Sequence, residues 1–70
     1  MDTKNRFKEN LKFLRKTREL KQSELAEHLK ISEKTVSHWE TGYTEPSISQ
    51  LLQLAEFFEV PLEELIIGND

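Results

Sequence analysis

The stretch SEKTVSHWETG, residues 32–42, sets a lysine, two hydroxyls and an imidazole at three- and four-residue spacing: Lys34, Ser37, His38 and Thr41. At ~100° per helical residue, with Lys34 at zero, Ser37 falls at ~300°, His38 at ~40° and Thr41 at ~340°, so the four share a face. Val36 at ~200° and Trp39 at ~140° lie opposite. A packed apolar back with a front of hydrogen-bonding side chains is what a helix needs to enter the major groove of DNA and read base edges. Lys34 suits guanine O6 and N7, and His38 could donate to guanine as a charged or a neutral ring. Any amphipathic surface helix also has a polar front, so the reading depends on what holds this face in place.

Other chemistries are poorly served. His28 and His38 stand ten residues apart on different expected helices, with no nucleophile and carboxylate set to converge with them. No cleft of useful size fits so small a core, so neither an enzyme, a metal site nor a cofactor is expected. The chain has no cysteine, which removes disulfides and thiolate zinc sites. Its 70 residues read as one domain, 1–70, burying only about 60% of the unfolded surface, so each apolar position matters. No apolar run spans a membrane, and MDTKNRFKEN lacks an apolar signal core, so a soluble, cytoplasmic chain without membrane partners is expected.

The net charge of −3 conceals a division. All ten Lys and Arg lie between Lys4 and Lys34, against six acids up to that point, giving +4; from Thr35 onward seven acids and no Lys or Arg give −7. Screening limits each charge's reach to about 8–10 Å at physiological salt, so an acidic chain with segregated charge can still meet DNA with its basic half.

The elements are helical throughout, with only two Gly and two Pro to interrupt them. The first helix is expected from about Lys4 to Arg18, burying Phe7, Leu11 and Leu14. A second runs from Gln22 to Leu29 and buries Leu25, Ala26 and Leu29; Ile31 anchors the turn after it. Ser32 caps a third helix ending near Thr41. After the loop GYTEPS, a fourth runs from about Ser47 to Glu59, carrying Ile48, Leu51, Leu52, Ala55 and Phe58, and a short fifth spans Leu62 to Ile66.

Residues 22–41, QSELAEHLKISEKTVSHWET, closely resemble a helix-turn-helix. Ala26 is the small residue the first of its helices needs, and Leu25, Leu29, Ile31, Val36 and Trp39 are the apolar positions that set the angle. With LKFLRK before, WETGYTEPS after and LLQLAEFFEVPLEELI at the end, residues 6 to 67 resemble the phage-repressor (Cro-like, XRE) family. That resemblance implies an all-α, lambda-repressor-like fold of five compact helices. The implied function is sequence-specific binding of double-stranded DNA by a transcriptional regulator, a repressor acting as a two-fold homodimer. Glu33, Lys34, Thr35, Ser37 and His38 then fall at base-reading positions. Lys12, Arg15, Lys16, Gln22, Lys34, Tyr43 and Thr44 fall where phosphates are met. Arg15 and Glu40 match a structural ion pair that would leave a guanidinium edge near a phosphate. Glu33 either accepts from a cytosine amino group or, as the favoured role, complements the dipole of the third helix.

Three features depart from the family pattern. Lys30 stands where glycine is usual and costs about 1 kcal/mol if its φ is positive. Lys21 replaces a Ser or Thr cap. Tyr43, Thr44 and Glu45 replace Lys or Arg, leaving the Tyr43 hydroxyl or the loop's N–H groups to face phosphate, with a shallower salt dependence. The alternative reading is an antitoxin or other interaction module whose acidic fourth and fifth helices (Glu56, Glu59, Glu63, Glu64) take a basic protein partner. Phe57 or Phe58 with Ile66 and Ile67 form the candidate dimer patch, which would set two third helices about 34 Å apart.

Overall fold

A computed structural model describes residues 6–68. It contains α1 (Phe7–Thr17), α2 (Gln22–Leu29), α3 (Glu33–Thr41), α4 (Ile48–Phe58) and α5 (Leu62–Ile66), with no strand among the described residues. The described residues form an all-α fold. Lys4, expected at the start of the first helix, lies outside the described residues, and Arg18 stands just past the last turn of α1.

Where helices begin follows from the side chains available. Ser32 Oγ accepts the Thr35 N–H at 3.1 Å, and Ser47 Oγ accepts the Gln50 N–H at 3.1 Å while Gln50 returns an acceptor to the Ser47 N–H at 2.8 Å. Lys21 has no side-chain acceptor to offer α2, so only the reciprocal half forms: Glu24 accepts the Lys21 N–H at 2.7 Å.

Where helices end follows one pattern, repeated. After α1, α2, α3 and α4 come Glu19, Lys30, Gly42 and Glu59, with φ of 57°, 60°, 83° and 58°. The N–H of each following residue bonds back to a carbonyl five residues earlier, as in Leu20 to Arg15 and Tyr43 to His38. This Schellman geometry satisfies orphan carbonyls, and glycine is its natural residue; here three of the four positions hold lysine or glutamate. Lys30 therefore does sit in the left-handed region anticipated for it.

Packing runs α2 on α3, α1 on α3 and α5, and α4 on α5. The core is Phe7 and Leu11 of α1, Leu25 and Ala26 of α2, Val36 and Trp39 of α3, Leu54, Ala55 and Phe58 of α4, and Leu65 of α5. Three expected stripes need correction. Leu14, Leu29 and Ile31 are half-buried against this core and not sealed within it. In α4, Ile48 and Leu52 are 70% and 53% exposed while Leu54 is fully buried. That helix carries more apolar positions than one face can bury, and the core takes the side holding Leu54, Phe58 and Ala55. Asn10 Nδ2 donates to Leu65 O at 2.9 Å and the Arg6 N–H to Ile66 O at 2.7 Å, fastening α5 to α1. Arg18 Nη2 donates to Phe58 O at 2.7 Å, a cation at the carbonyl end of α4.

Candidate nucleic-acid interface

The third helix is anchored by its back. Val36 is fully buried, and Trp39, 2% exposed, meets Phe7 edge-on with ring centroids 6.3 Å apart. On the other side Glu33, Lys34 and Thr41 are exposed and Thr35, Ser37 and His38 half-buried. These front residues are not equally available. Thr35 Oγ1 lies 2.8 Å from Ser32 Oγ within the cap, and Thr41 Oγ1 donates to His38 O at 3.2 Å. Lys34, Ser37 and the His38 ring nitrogens have no hydrogen-bond partner among the described residues. Glu33 stands in the first turn, where a carboxylate complements the helix dipole.

A buried polar clamp fixes the orientation of this face. Arg15 Nε donates to Glu40 Oε2 at 2.7 Å and Nη2 to Glu40 Oε1 at 3.0 Å, a bidentate pair. Arg15 Nη1 donates to Leu20 O at 2.7 Å, and Gln22 Nε2 adds a bond to Glu40 Oε1 at 3.0 Å. One glutamate of α3 thus gathers α1 and the first residue of α2. The hydrogen bond to Glu40 raises the Arg15 pKa above its ordinary value, burial opposes it, and the Glu40 charge adds to the rise. Three of the five Arg15 N–H groups are spent within the fold and the residue is 8% exposed, which leaves a narrow guanidinium edge with two N–H groups. Gln22, half-buried, keeps a second amide N–H beyond the one given to Glu40.

Two further groups of exposed side chains bear on the reading, one on α1 and one after α3. Lys12 and Lys16 are exposed on α1, flanking Phe13, itself 68% exposed. Past Gly42, the Tyr43 ring lies against His38 with centroids 4.7 Å apart and planes tilted by 58°. The N–H groups of Tyr43 and Thr44 both donate to His38 O, at 2.9 and 3.4 Å. The loop's N–H groups at these two positions are therefore not free for a phosphate, a correction; the exposed hydroxyls of Tyr43 and Thr44 remain. Sequence reasoning missed this stack. Its signal was present in WETGY: a Schellman end places the residue after glycine against the residue four before that glycine.

The candidate dimer residues do not form one obvious patch. Phe57 is half-buried between His28 and Phe58, each ring centroid 4.9 Å away, while Phe58 is sealed in the core and unavailable. Ile66 is half-buried and lines a groove of about 250 Å³ with Phe7, Trp39 and Leu51. Ile67 is 44% exposed. Among the described residues no helix is long and apolar enough to cross a membrane, and no group of three or more His, Cys, Asp or Glu could hold a metal.

The same arrangement occurs in known proteins. A family profile described as helix-turn-helix matches residues 11–65. The HTH-type transcriptional activator BcrR of Enterococcus faecalis is 38% identical over 64 residues, covering 91% of this chain but 31% of that protein. An uncharacterised HTH-type transcriptional regulator of Methanocaldococcus jannaschii is 35% identical, covering 91% of this chain and 97% of that one. Among solved structures, a transcriptional regulator from Listeria innocua superposes with a TM-score of 0.86 at 36% identity, over 90% of this chain and 59% of that one. The P22 c2 repressor, solved in complex with a synthetic operator, superposes at 0.83 with 27% identity, over 90% and 96%. This chain belongs to the helix-turn-helix family of DNA-binding transcriptional regulators, of the phage-repressor type.

Proposed function

We propose that this chain represses transcription by laying α3 in the major groove of double-stranded operator DNA, as a homodimer. The observation that carries the reading is a front of uncommitted hydrogen-bonding groups on α3, at Lys34, Ser37 and His38, over a fully packed back and a buried clamp. Preorganisation matters because a reader that must be ordered on binding loses affinity to that ordering. Lys34 takes guanine O6 and N7, while Ser37 and His38 read the neighbouring edges. Glu33 and Thr35 flank them, with Thr35 holding the cap. Lys12 and Lys16, the second N–H of Gln22, and the hydroxyls of Tyr43 and Thr44 face phosphates and set the register. The two-fold partner docks through the α5 end, where Ile67 is exposed.

The test is selection of binding sites from a random duplex library, followed by titration of the preferred site with native chain, Lys34→Ala and Ser37→Ala. Each substitution should cost about 1–3 kcal/mol at one base position and relax the preference there. Uniform loss across all sequences, or an unchanged preferred site, would show that α3 is not the reader.

A further inference from the structure

The core leaves one face of α4 uncovered. Ile48 and Leu52, one turn apart, are 70% and 53% exposed, and no described element covers them. Along the same side of the helix, ~80° from Ile48, stands Glu56, with Glu59 exposed at the left-handed residue that ends α4 and Glu45 exposed in the loop before it. None of these three carboxylates has a hydrogen-bond or ion-pair partner among the described residues. The face therefore runs from apolar at the N-terminal half of α4 to acidic at its C-terminal end.

We infer that this face docks a basic amphipathic helix of another protein, apolar residues on Ile48 and Leu52 and Lys or Arg on Glu56 and Glu59. Charge decides among occupants. From Thr35 onward the chain has seven acids and no Lys or Arg, its ten cations all lying earlier, so this face packed on its own copy brings no cation to meet these carboxylates. A second copy placed antiparallel about a two-fold axis sets Ile48 of one chain against the acidic end of the other, and desolvates glutamate without a partner charge. An anionic membrane surface, like DNA, is repelled by the same carboxylates. A cationic helix satisfies both halves at once, in the helix-on-helix mode where i and i+4 anchors seat the partner. The contact surface, one 11-residue helix face, is small, so the complex is weak and salt-sensitive.

The experiment uses the full chain, isotopically labelled, titrated with a synthetic helical peptide of roughly 15 residues carrying Leu at i, i+4 and i+7 and Lys elsewhere. Expected are amide shift changes centred on Ile48, Leu52, Glu56 and Glu59, and about tenfold weaker binding after Leu52→Ser. Glu56→Gln with Glu59→Gln, or ~1 M salt, should weaken it as well, and a glutamate-for-lysine peptide should not bind. DNA binding by Leu52→Ser should match the native chain, which separates failure here from failure of the DNA reading. The inference is overturned if the lysine peptide fails to bind, shifts residues elsewhere, or binds Leu52→Ser equally. It is also overturned if the free chain self-associates through this face and Leu52→Ser abolishes that association.

Discussion

Removing the carboxylate of Glu40 should nearly unfold the domain, and the reason lies in where its partner is left. The Glu40 side chain is 3% exposed and the Arg15 side chain 10%, so Glu40→Ala strands a buried guanidinium that keeps one bond, to Leu20 O. Breaking one partner of such a pair costs about 3–5 kcal/mol. A chain of this length has about 3.5–10 kcal/mol in total, so the loss takes a third or more of its stability. Glu40→Gln keeps the shape and one acceptor and should cost less, about 1.5–3 kcal/mol. Arg15→Met combined with Glu40→Leu removes both charges and should recover most of the loss. Trp39, the single tryptophan, is buried beside Glu40 and reports urea unfolding directly. With a slope near ~1 kcal/mol/M for so small a domain, the Glu40→Ala midpoint should fall by roughly 3 M or more. Loss below about 1 kcal/mol, or a double variant as unstable as Glu40→Ala, would refute the clamp. The raised Arg15 pKa fixes the pH sign: its contribution is present below the ordinary arginine value and is lost only as pH climbs through the raised one. Stability between pH 5 and 9 (roughly the working range of such assays) should not track Arg15.

Lys30→Gly should stabilise the fold by about 0.5–1 kcal/mol, relieving a left-handed φ of 60° less the extra chain entropy of glycine, and thermal melts check it. Gly42→Ala should cost about 1–2 kcal/mol because of φ 83°, the added Cβ meeting only the flexible Lys8 Cδ at 3.1 Å. Tyr43→Ala should loosen the preference at the base beneath His38 while Tyr43→Phe retains it, since stacking worth about 0.5–1.5 kcal/mol holds that ring; site selection with each variant distinguishes them. With Lys12, Lys16 and Lys34 of both protomers as the cations at the interface, log K of the dimer against log salt should have a slope near about −5.4, and a slope beyond about −8 would require further phosphate contacts.

Much of this was legible in the residues, and the rest failed for identifiable reasons. The capping serine at 32 located the start of α3, because local hydrogen bonding decides that end, whereas Ser47, expected as the first residue of the fourth helix, is its cap, and the first helix, expected from about Lys4, is α1 from Phe7. The back and front of α3 were legible from angular spacing, since only two large apolar residues had to be placed. In α4 the same reasoning misassigned Ile48, Leu52 and Leu54: seven apolar positions encircle that helix, and tertiary packing, not periodicity, chose among them. Arg15 and Glu40 were matched as a pair, but the further bonds that close the clamp, Arg15 to Leu20 O and Gln22 to Glu40, have no local pattern that states them. Asn10 reaching Leu65 across 55 residues had no signal at all.

The helix ends at Glu19, Lys30 and Glu59 bear on how long the chain survives. Each holds a side chain where glycine is at ease, at a net cost of about 0.5–1 kcal/mol, so together they raise the unfolded population roughly 10- to 150-fold over a glycine-ended version. Proteases that cut the opened chain sample that population, and clearance rises with it when opening is faster than cleavage. Turnover, and with it the time a regulatory state persists after synthesis stops, is thereby set by three turns outside both the core and the reading face. Substituting glycine at these turns would leave the same surface to meet DNA and a longer-lived protein to carry it.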